Sequence, residues 1–180
     1  MKHSYILHCF VVMISFFIIP LSIAAQTQPS AQSKYYDTPD GLINEIYKTV
    51  TFPAEGPVPD WKKVESMFIA DAVIVMRVTR DSMAVFSVKG FIDDFVNFVE
   101  NSPAKTVGFT ERILKMKPLV FGDIAHILVL YEASITGMKR PPTVGVDSWH
   151  LLKKDGRWWI TSVANDITTK ERSAPKELNN

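Results

Sequence analysis

Apolar positions fall into three regimes along the chain: one almost wholly apolar run at the start, then helical spacing broken by two short strands, then long strands. Leu42, Ile43, Ile46, Tyr47 and Val50 recur at helical spacing behind Thr38-Pro39-Asp40, which reads as an N-cap followed by proline at the first helical position. Phe52 to Pro59 carries three prolines and a glycine and is expected to be a loop. Asp60 is placed to cap a short second helix, Trp61 to Phe68. Ala72 to Thr79 and Met83 to Phe86 read as two short strands. Ser87 then caps the clearest helix, in which Val88, Phe91, Ile92, Phe95, Val96 and Val99 form one apolar face and Pro103 marks the end.

From Val107 the period changes to that of strands. Val107–Leu119, Ile124–Thr136, Val144–Lys154 and Arg157–Asp166 are separated by Gly122-Asp123, by the stretch Gly137 to Pro142, and by Asp155-Gly156. Asp-Gly between two apolar strands is a strong signal for a two-residue hairpin. Helices first and an antiparallel meander after give an α+β class. Trp149, Leu151, Trp158 and Ile160 would share one face of the last hairpin, and Leu152, Trp159 and Val163 the other. Helices can cover only one face of such a sheet, so the second apolar face points to a homodimer formed through the sheet.

The opening run changes which residues count. Lys2, the apolar stretch Tyr5–Ile19, the break at Pro20 and the small residues ending at Ala24 form the three-part pattern of a secretory signal peptide. An uncleaved anchor is the alternative, which Pro20 and the small-residue ending disfavour. The expected organisation is a signal peptide over 1–24, a flexible leader over 25–35, one domain over 36–168 and a polar, frayed tail over 169–180. The product would be periplasmic or secreted, with no stable membrane insertion after cleavage. Removal of Lys2 takes 20 basic and 19 acidic residues to 19 of each, and the single cysteine, Cys9, leaves as well. Such a mature chain would have neither disulfide nor thiol chemistry. Its balanced charge and lack of basic runs argue against nucleic acid as a partner.

The capped helices, the FIADAVI turn at Phe68–Ile74 and the final DGRWWITSV at Asp155–Val163 resemble the nuclear-transport-factor-2-like (NTF2-like) superfamily, in its SnoaL-like or ketosteroid-isomerase-like branch. More narrowly, GFTER (Gly108–Arg112), FGDIAH (Phe121–His126), YEAS (Tyr131–Ser134) and DGRWWI are similar to an uncharacterised exported bacterial subgroup. The resemblance implies a cone-shaped fold: a strongly bent antiparallel sheet wrapped around N-terminal helices, enclosing an apolar pocket and often dimeric. It does not imply one reaction, because the superfamily includes isomerases, dehydratases, hydrolases, binders and interaction modules.

Candidate chemistry therefore rests on individual residues. His126 and Glu132 share a strand face but lie ~20 Å apart at ~3.3 Å per residue, too far to form a dyad. A tight hairpin at Gly122 puts Glu132 opposite Arg112, an ion pair; the sharper alternative makes Glu111 or Glu132 a general base facing the cavity. His126, alone among Ile124, Ile127 and Leu128, is the third catalytic candidate, set against a histidine that is merely hydrogen-bonded. A two-residue Asp155-Gly156 loop would pair His150 with Thr161 and gather Ser148, His150, Thr161 and Asn165 on one face. Arg77 inside AVIVMRV reads as an ion-pair partner or an anion contact. The expected pocket is lined by Tyr47, Trp61, Phe68, Arg77, Phe91, Phe95, His126, Ser148, His150 and Asn165, and its expected ligand is a small apolar or aromatic molecule. Ketosteroid isomerases of the superfamily combine an aspartate base with a tyrosine and a protonated acid. Tyr47, Tyr131, Asp71, Asp147 and Asp166 supply those residue types, though no short motif fixes their geometry, and Asp71 reads as a turn residue at a helix end. No metal-ligand spacing, phosphate loop or nucleophile elbow is present, so neither metal nor cofactor is expected.

Overall fold

The computed structural model describes residues 35–79 and 81–179. The signal peptide, and all of the leader but its last residue, lie outside them. Helix α1 (Pro39–Val50) begins at Thr38, whose hydroxyl accepts from the Gly41 amide at 3.1 Å. Its stripe Leu42, Ile43, Ile46, Tyr47 and Val50 is buried, as the spacing predicts. Asp60 caps α2 (Trp61–Glu65) through the Lys63 amide. This helix ends before the expected Phe68, because Phe68 already belongs to strand β2 (Phe68–Thr79) and pairs with Ile160. Asp71 is an exposed residue of that strand rather than a helix-end turn residue. The proline-rich segment contributes a two-residue strand, β1 (Phe52–Pro53). Strand β3 (Ser82–Phe86) and helix α3 (Val88–Glu100) follow, the helix capped by Ser87. One turn of helix, α4 (Ala104–Val107), precedes the long strands β4 (Gly108–Phe121), β5 (Ile124–Ile135), β6 (Thr143–Lys154) and β7 (Arg157–Ile167).

The seven strands form one open sheet in the order β1-β4-β5-β6-β7-β2-β3. Its neighbours are antiparallel except β2 and β7, which run parallel. The long strands form the expected antiparallel meander, and the sheet becomes mixed where the β2–β3 hairpin, made early in the chain, attaches through β2 beside the last strand and parallel to it. Asp155-Gly156 makes the expected hairpin, both residues at positive φ (53° and 78°) and Lys154 opposite Arg157. The tail is not wholly frayed. Residues 176–179 form a short helix, α5 (Lys176–Asn179), and Leu178 is buried against β4 and β5.

Alternation along β5 and β6 assigns the faces. Ala125, Ile127, Val129 and Tyr131, with Gly145, Asp147, Trp149 and Leu151, are buried on the helix side. His126, Leu128, Leu130 and Glu132, with Ser148, His150 and Leu152, point to the outer side.

Two bulges interrupt this rule within the four long strands. Leu114 is the extra residue on β4, between the pairs Ile113–Tyr131 and Lys115–Leu130. Thr161 is the extra residue on β7, between His150–Ser162 and Leu151–Ile160. The expected pairing of His150 with Thr161 is therefore wrong by one residue. Its hydroxyl instead donates to the His150 carbonyl at 3.0 Å. Beyond the bulge the phase of β7 reverses, so Val163 and Asn165 turn inward with Trp158 and Ile160.

That reversal yields a direct test. Deleting Thr161 should drive Val163 and Asn165 to the outer face and abolish cooperative unfolding in a urea titration followed by tryptophan fluorescence. Thr161→Ala, which keeps the extra residue, should lower stability by only about 1 kcal/mol. Similar behaviour of the two variants would refute the role given to the bulge.

Candidate functional site

Between the inner face of the sheet and helices α1 and α3 lies a cavity of ≈ 490 Å³. Helix α3 has only Val88 and Val99 fully buried, because Phe91, Phe95 and Phe98 face this space instead of packing into solid core. Phe95 and Phe98 meet Phe109 edge-on, each at 5.6 Å between ring centres. Exposed lining residues Val78, Asp94, Arg140 and Thr143 mark the open end. The opposite end is polar.

There, Tyr47 from α1 donates its hydroxyl hydrogen to Asp147 Oδ2. Asn165 Nδ2 donates to Asp147 Oδ1 and to the Tyr131 hydroxyl oxygen, both at 2.7 Å. Asp147 and Asn165 face each other across β6 and β7, and Tyr131 is opposite Gly145 on β5 and β6. A side chain at 145 would collide with the phenol, since a β-carbon there would lie 2.4 Å from the Tyr131 oxygen. Glycine inside a strand thus marks a close approach, and it permits Tyr131 to reach Asn165.

Glu111 completes the polar end. Thr51, just after α1, clips its backbone: the Thr51 hydroxyl donates to the Glu111 carbonyl and accepts from its amide, each at 2.9 Å. Its side chain lines the cavity, and among the described residues the carboxyl group has neither a hydrogen-bond nor an ion-pair partner. Burial, then the charge on Asp147, push its pKa up to about 8. Burial also raises Asp147, to about 6, against the hydrogen bonds from Tyr47 and Asn165 that favour its anion. Both tyrosines are pushed well above the ordinary phenol range by burial and by Asp147. Of the two buried carboxyl groups, Asp147 is thus the first to ionise, and its charge helps Glu111 keep its proton to higher pH.

The structure divides the expected pocket residues. Tyr47, Phe68, Arg77, Phe91, Phe95 and Asn165 line the cavity, as does Glu111. Trp61 does not; it packs on Phe95 at 5.2 Å in the layer behind. His126, Ser148 and His150 do not line it either, because strand alternation places all three on the outer face. There His126 Nε2 pairs with Ser148 Oγ at 2.9 Å, the His126 and His150 rings stack at 4.7 Å, and His150 Nδ1 meets Ser162 Oγ at 3.2 Å. Partial desolvation, then the neighbouring His150, lower the pKa of His126. Glu132 also lies outside the cavity, paired with Arg112 at 2.5 Å as expected, the extra residue Leu114 setting Arg112 opposite it. Arg77 forms a two-pronged ion pair with Asp166, at 3.0 and 3.1 Å. The partners that sequence reasoning did not join are Asp147, Tyr131 and Gly145. An aspartate in the apolar strand VGVDSW and a lone strand glycine were the available signals. Among the described residues, no group of three or more His, Cys, Asp or Glu side chains is arranged to hold a metal ion.

No protein-family model and no curated protein matches the sequence. Solved structures are similar in fold. An NTF2-like protein of unknown function from Pseudomonas putida superposes with a TM-score of 0.56 at 11% identity, over 77% of this chain and 92% of that one. An NTF2-like protein of unknown function from Silicibacter pomeroyi gives 0.50 at 20% identity, over 72% and 92%. A proposed scytalone dehydratase from Novosphingobium aromaticivorans gives 0.50 at 12% identity, over 72% and 81%. The helices packed on one face of an open seven-stranded sheet, and the cavity between them, are thus elements of an α+β protein with the NTF2-like, cystatin-like fold.

Proposed function

We propose that this is an exported protein that binds a small, mostly apolar molecule in the cavity and performs cofactor-free acid–base chemistry on it, of the isomerase, dehydratase or hydrolase type. One observation carries the reading: Glu111, an unpaired carboxyl group with a pKa near 8, stands in an aromatic chamber beside the Tyr47–Asp147–Asn165–Tyr131 network. A carboxyl so raised is a stronger base once ionised and an effective acid while protonated, near working pH. The network beside it is fixed by its own hydrogen bonds, so it can stabilise charge on a bound molecule without rearranging. The fold shared with a proposed scytalone dehydratase supports the dehydratase end of this range. The alternative, an interaction module with a cavity filled by its own side chains, is opposed by the open space lined by Phe91, Phe95 and Phe98. Export rests on the N-terminal sequence pattern.

The protein is proposed to be a homodimer through the outer sheet face. Leu128, Leu130 and Leu152 are only partly covered there, and Val73 and Val85 are 46% and 71% exposed. This places the stacked His126 and His150 at the interface.

Glu111 gives the first test. The folded protein holds its proton up to about pH 8, whereas an unfolded glutamate releases it near the ordinary 4.5. Between those values the native state binds more protons, so stability falls as pH rises. From about pH 6 to about pH 8, where Asp147 has already ionised, the wild-type melting temperature should decline. Glu111→Gln should flatten that decline and melt higher at pH 8; an unchanged slope would remove Glu111 from the proposed role. In a thermal-shift screen, neutral aromatic compounds should stabilise wild type and Glu111→Gln alike, and failure of every compound would sink the binding reading.

The outer face gives a second test. Leu128→Asp should convert a dimer to a monomer in sedimentation velocity without lowering the melting temperature of the domain by more than a few degrees. A monomeric wild type at tens of micromolar would reject the interface.

A further inference from the structure

The far end of the β4–β5 hairpin is apolar and uncovered. Leu119 is 71% exposed and Phe121 82%, and Val120 and Ile124 are exposed beside them. The register assigns these side chains to faces. Leu119 lies opposite His126 and Phe121 opposite Ile124, so all three apolar residues point outward. Val120 lies opposite the buried Ala125 and points to the helix side. A single exposed leucine would call for no explanation, but a hairpin end with large apolar side chains on both faces does.

Positive charge surrounds this end. The outer face of β4 runs Lys115, Lys117, Leu119, Phe121: two cations, then two apolar side chains. The β6–β7 turn stands alongside, where the Lys153 amide donates to the Asp123 carbonyl at 2.7 Å and sets Lys153 and Lys154 next to the apolar tip. Arg157 is committed within the domain, stacked on Tyr36 and Trp159 at 3.6 and 3.7 Å and bonded to the Ser66 carbonyl. Residues 115–124 and 152–157 thus carry five cationic side chains, Arg157 included, against the two carboxylates of Asp123 and Asp155. Lys154 approaches Asp155 at 4.0 Å; Lys115, Lys117 and Lys153 have no ion-pair partner among the described residues. In a mature chain whose acidic and basic residues balance, this is a concentrated positive excess.

From this juxtaposition we infer that the end of the sheet docks on a lipid bilayer bearing anionic headgroups, with Leu119, Phe121 and Ile124 entering the boundary between headgroups and acyl chains and Lys117, Lys153 and Lys154 meeting the phosphates. Apolar burial and cationic attraction add in binding of this kind. The long lysine stems let the ammonium groups stay among the headgroups while the tip goes deeper. The exposed Asp123 at the turn keeps the contact shallow, so it is peripheral and reversible. A second copy of the chain fits less well. A sheet-on-sheet partner would cover the outer side chains and leave Val120 in water. A two-fold contact through this end would set the lysines of one copy against those of the other. Edge-to-edge pairing is blunted as well: beyond Phe109, β4 has no strand on its free side among the described residues, and Lys115, Lys117 and Pro118 lie along that edge. The contact is independent of the cavity, whose mouth lies at the other end of the strands, by Arg140 and Thr143.

Flotation of the mature chain with vesicles tests this, using phosphatidylcholine alone and phosphatidylcholine with about 30% phosphatidylglycerol. Wild type should bind the anionic vesicles at least about tenfold more tightly than the neutral ones, and lose most of that preference in about 0.5 M salt. Lys117→Gln should weaken the binding about fivefold. Phe121→Ser combined with Ile124→Ser should weaken it about tenfold or more, while the melting temperature stays within a few degrees because both side chains are exposed. Cys9 is the only cysteine of the chain and leaves with the signal peptide, so Phe121→Cys gives the mature protein one thiol. A polarity-sensitive fluorophore attached there should shift to the blue on anionic vesicles, and the same label at Lys139→Cys, in the loop at the opposite end of β5, should not. Equal binding to both vesicles, or to neither, would overturn the inference, as would binding that survives in the double variant. A blue shift at Lys139→Cys and not at Phe121→Cys would assign the contact to another surface and overturn it too. If the double variant turns a dimeric wild type into a monomer, the tip is a contact between copies and the inference falls. Should the double variant fail to fold, the vesicle preference, Lys117→Gln and the two labels still decide.

Discussion

The polar end of the cavity depends on one backbone irregularity. A regular β7 with Trp158 and Ile160 inward would send Val163 and Asn165 outward, because strand side chains alternate without exception when no residue is inserted. Thr161 supplies the inserted residue and reverses the phase. Only then does Asn165 face Asp147 and Tyr131, and only with Asn165 present are both oxygens of Asp147 occupied. A buried carboxylate lacking those partners would be far more costly to retain. The bulge therefore determines whether an acid can be kept inside the fold at all.

Strand alternation also sorts the ionisable residues into two populations with different chemistry. On the outer face, Arg112 and Glu132 form an ion pair whose arginine is 62% exposed, worth little to stability in water. Glu111, one residue along β4 from Arg112, points inward and becomes a weak acid. Adjacent positions in GFTER thus carry opposite physical outcomes. Burial, more than any single contact, separates them, and the same distinction leaves His126 outside the chamber and Asp147 within it.

How much of this could be read from the chain differs by level. The caps at Thr38, Asp60 and Ser87, the helical stripes and the Asp155-Gly156 turn are local signals, and each appears where the spacing places it. Register propagates from a turn until something interrupts it: from the Phe121–Ile124 turn it would set Glu132 opposite Ile113, and the Leu114 bulge shifts it onto the expected Arg112. Beyond Thr161 that propagation fails, and with it the expected partner of His150. Nothing in Trp-Ile-Thr-Ser-Val announces a bulge. His126 looked like an intrusion into the core because its neighbours are apolar, but Leu128 and Leu130 share its outer face; the strand is apolar on both sides. Periodicity cannot orient such a strand. The parallel pairing of β2 with β7 joins segments about ninety residues apart in sequence and left no local trace.

Gly145 has a consequence for how such a site can diversify. The Tyr131 ring occupies the volume that any side chain at 145 would need, so the floor of the chamber is laid by main chain and not by an adjustable side chain. A larger residue at 145 evicts the phenol; a smaller residue at 131 opens a slot above bare backbone. Exchange of the two, a small residue at 131 with a bulky one at 145, could restore the volume, but each single step passes through a collision or a void. The pair is thus expected to be epistatic: related proteins that differ here should differ at both positions together, and a shift in ligand preference at this end of the cavity would require two coordinated substitutions.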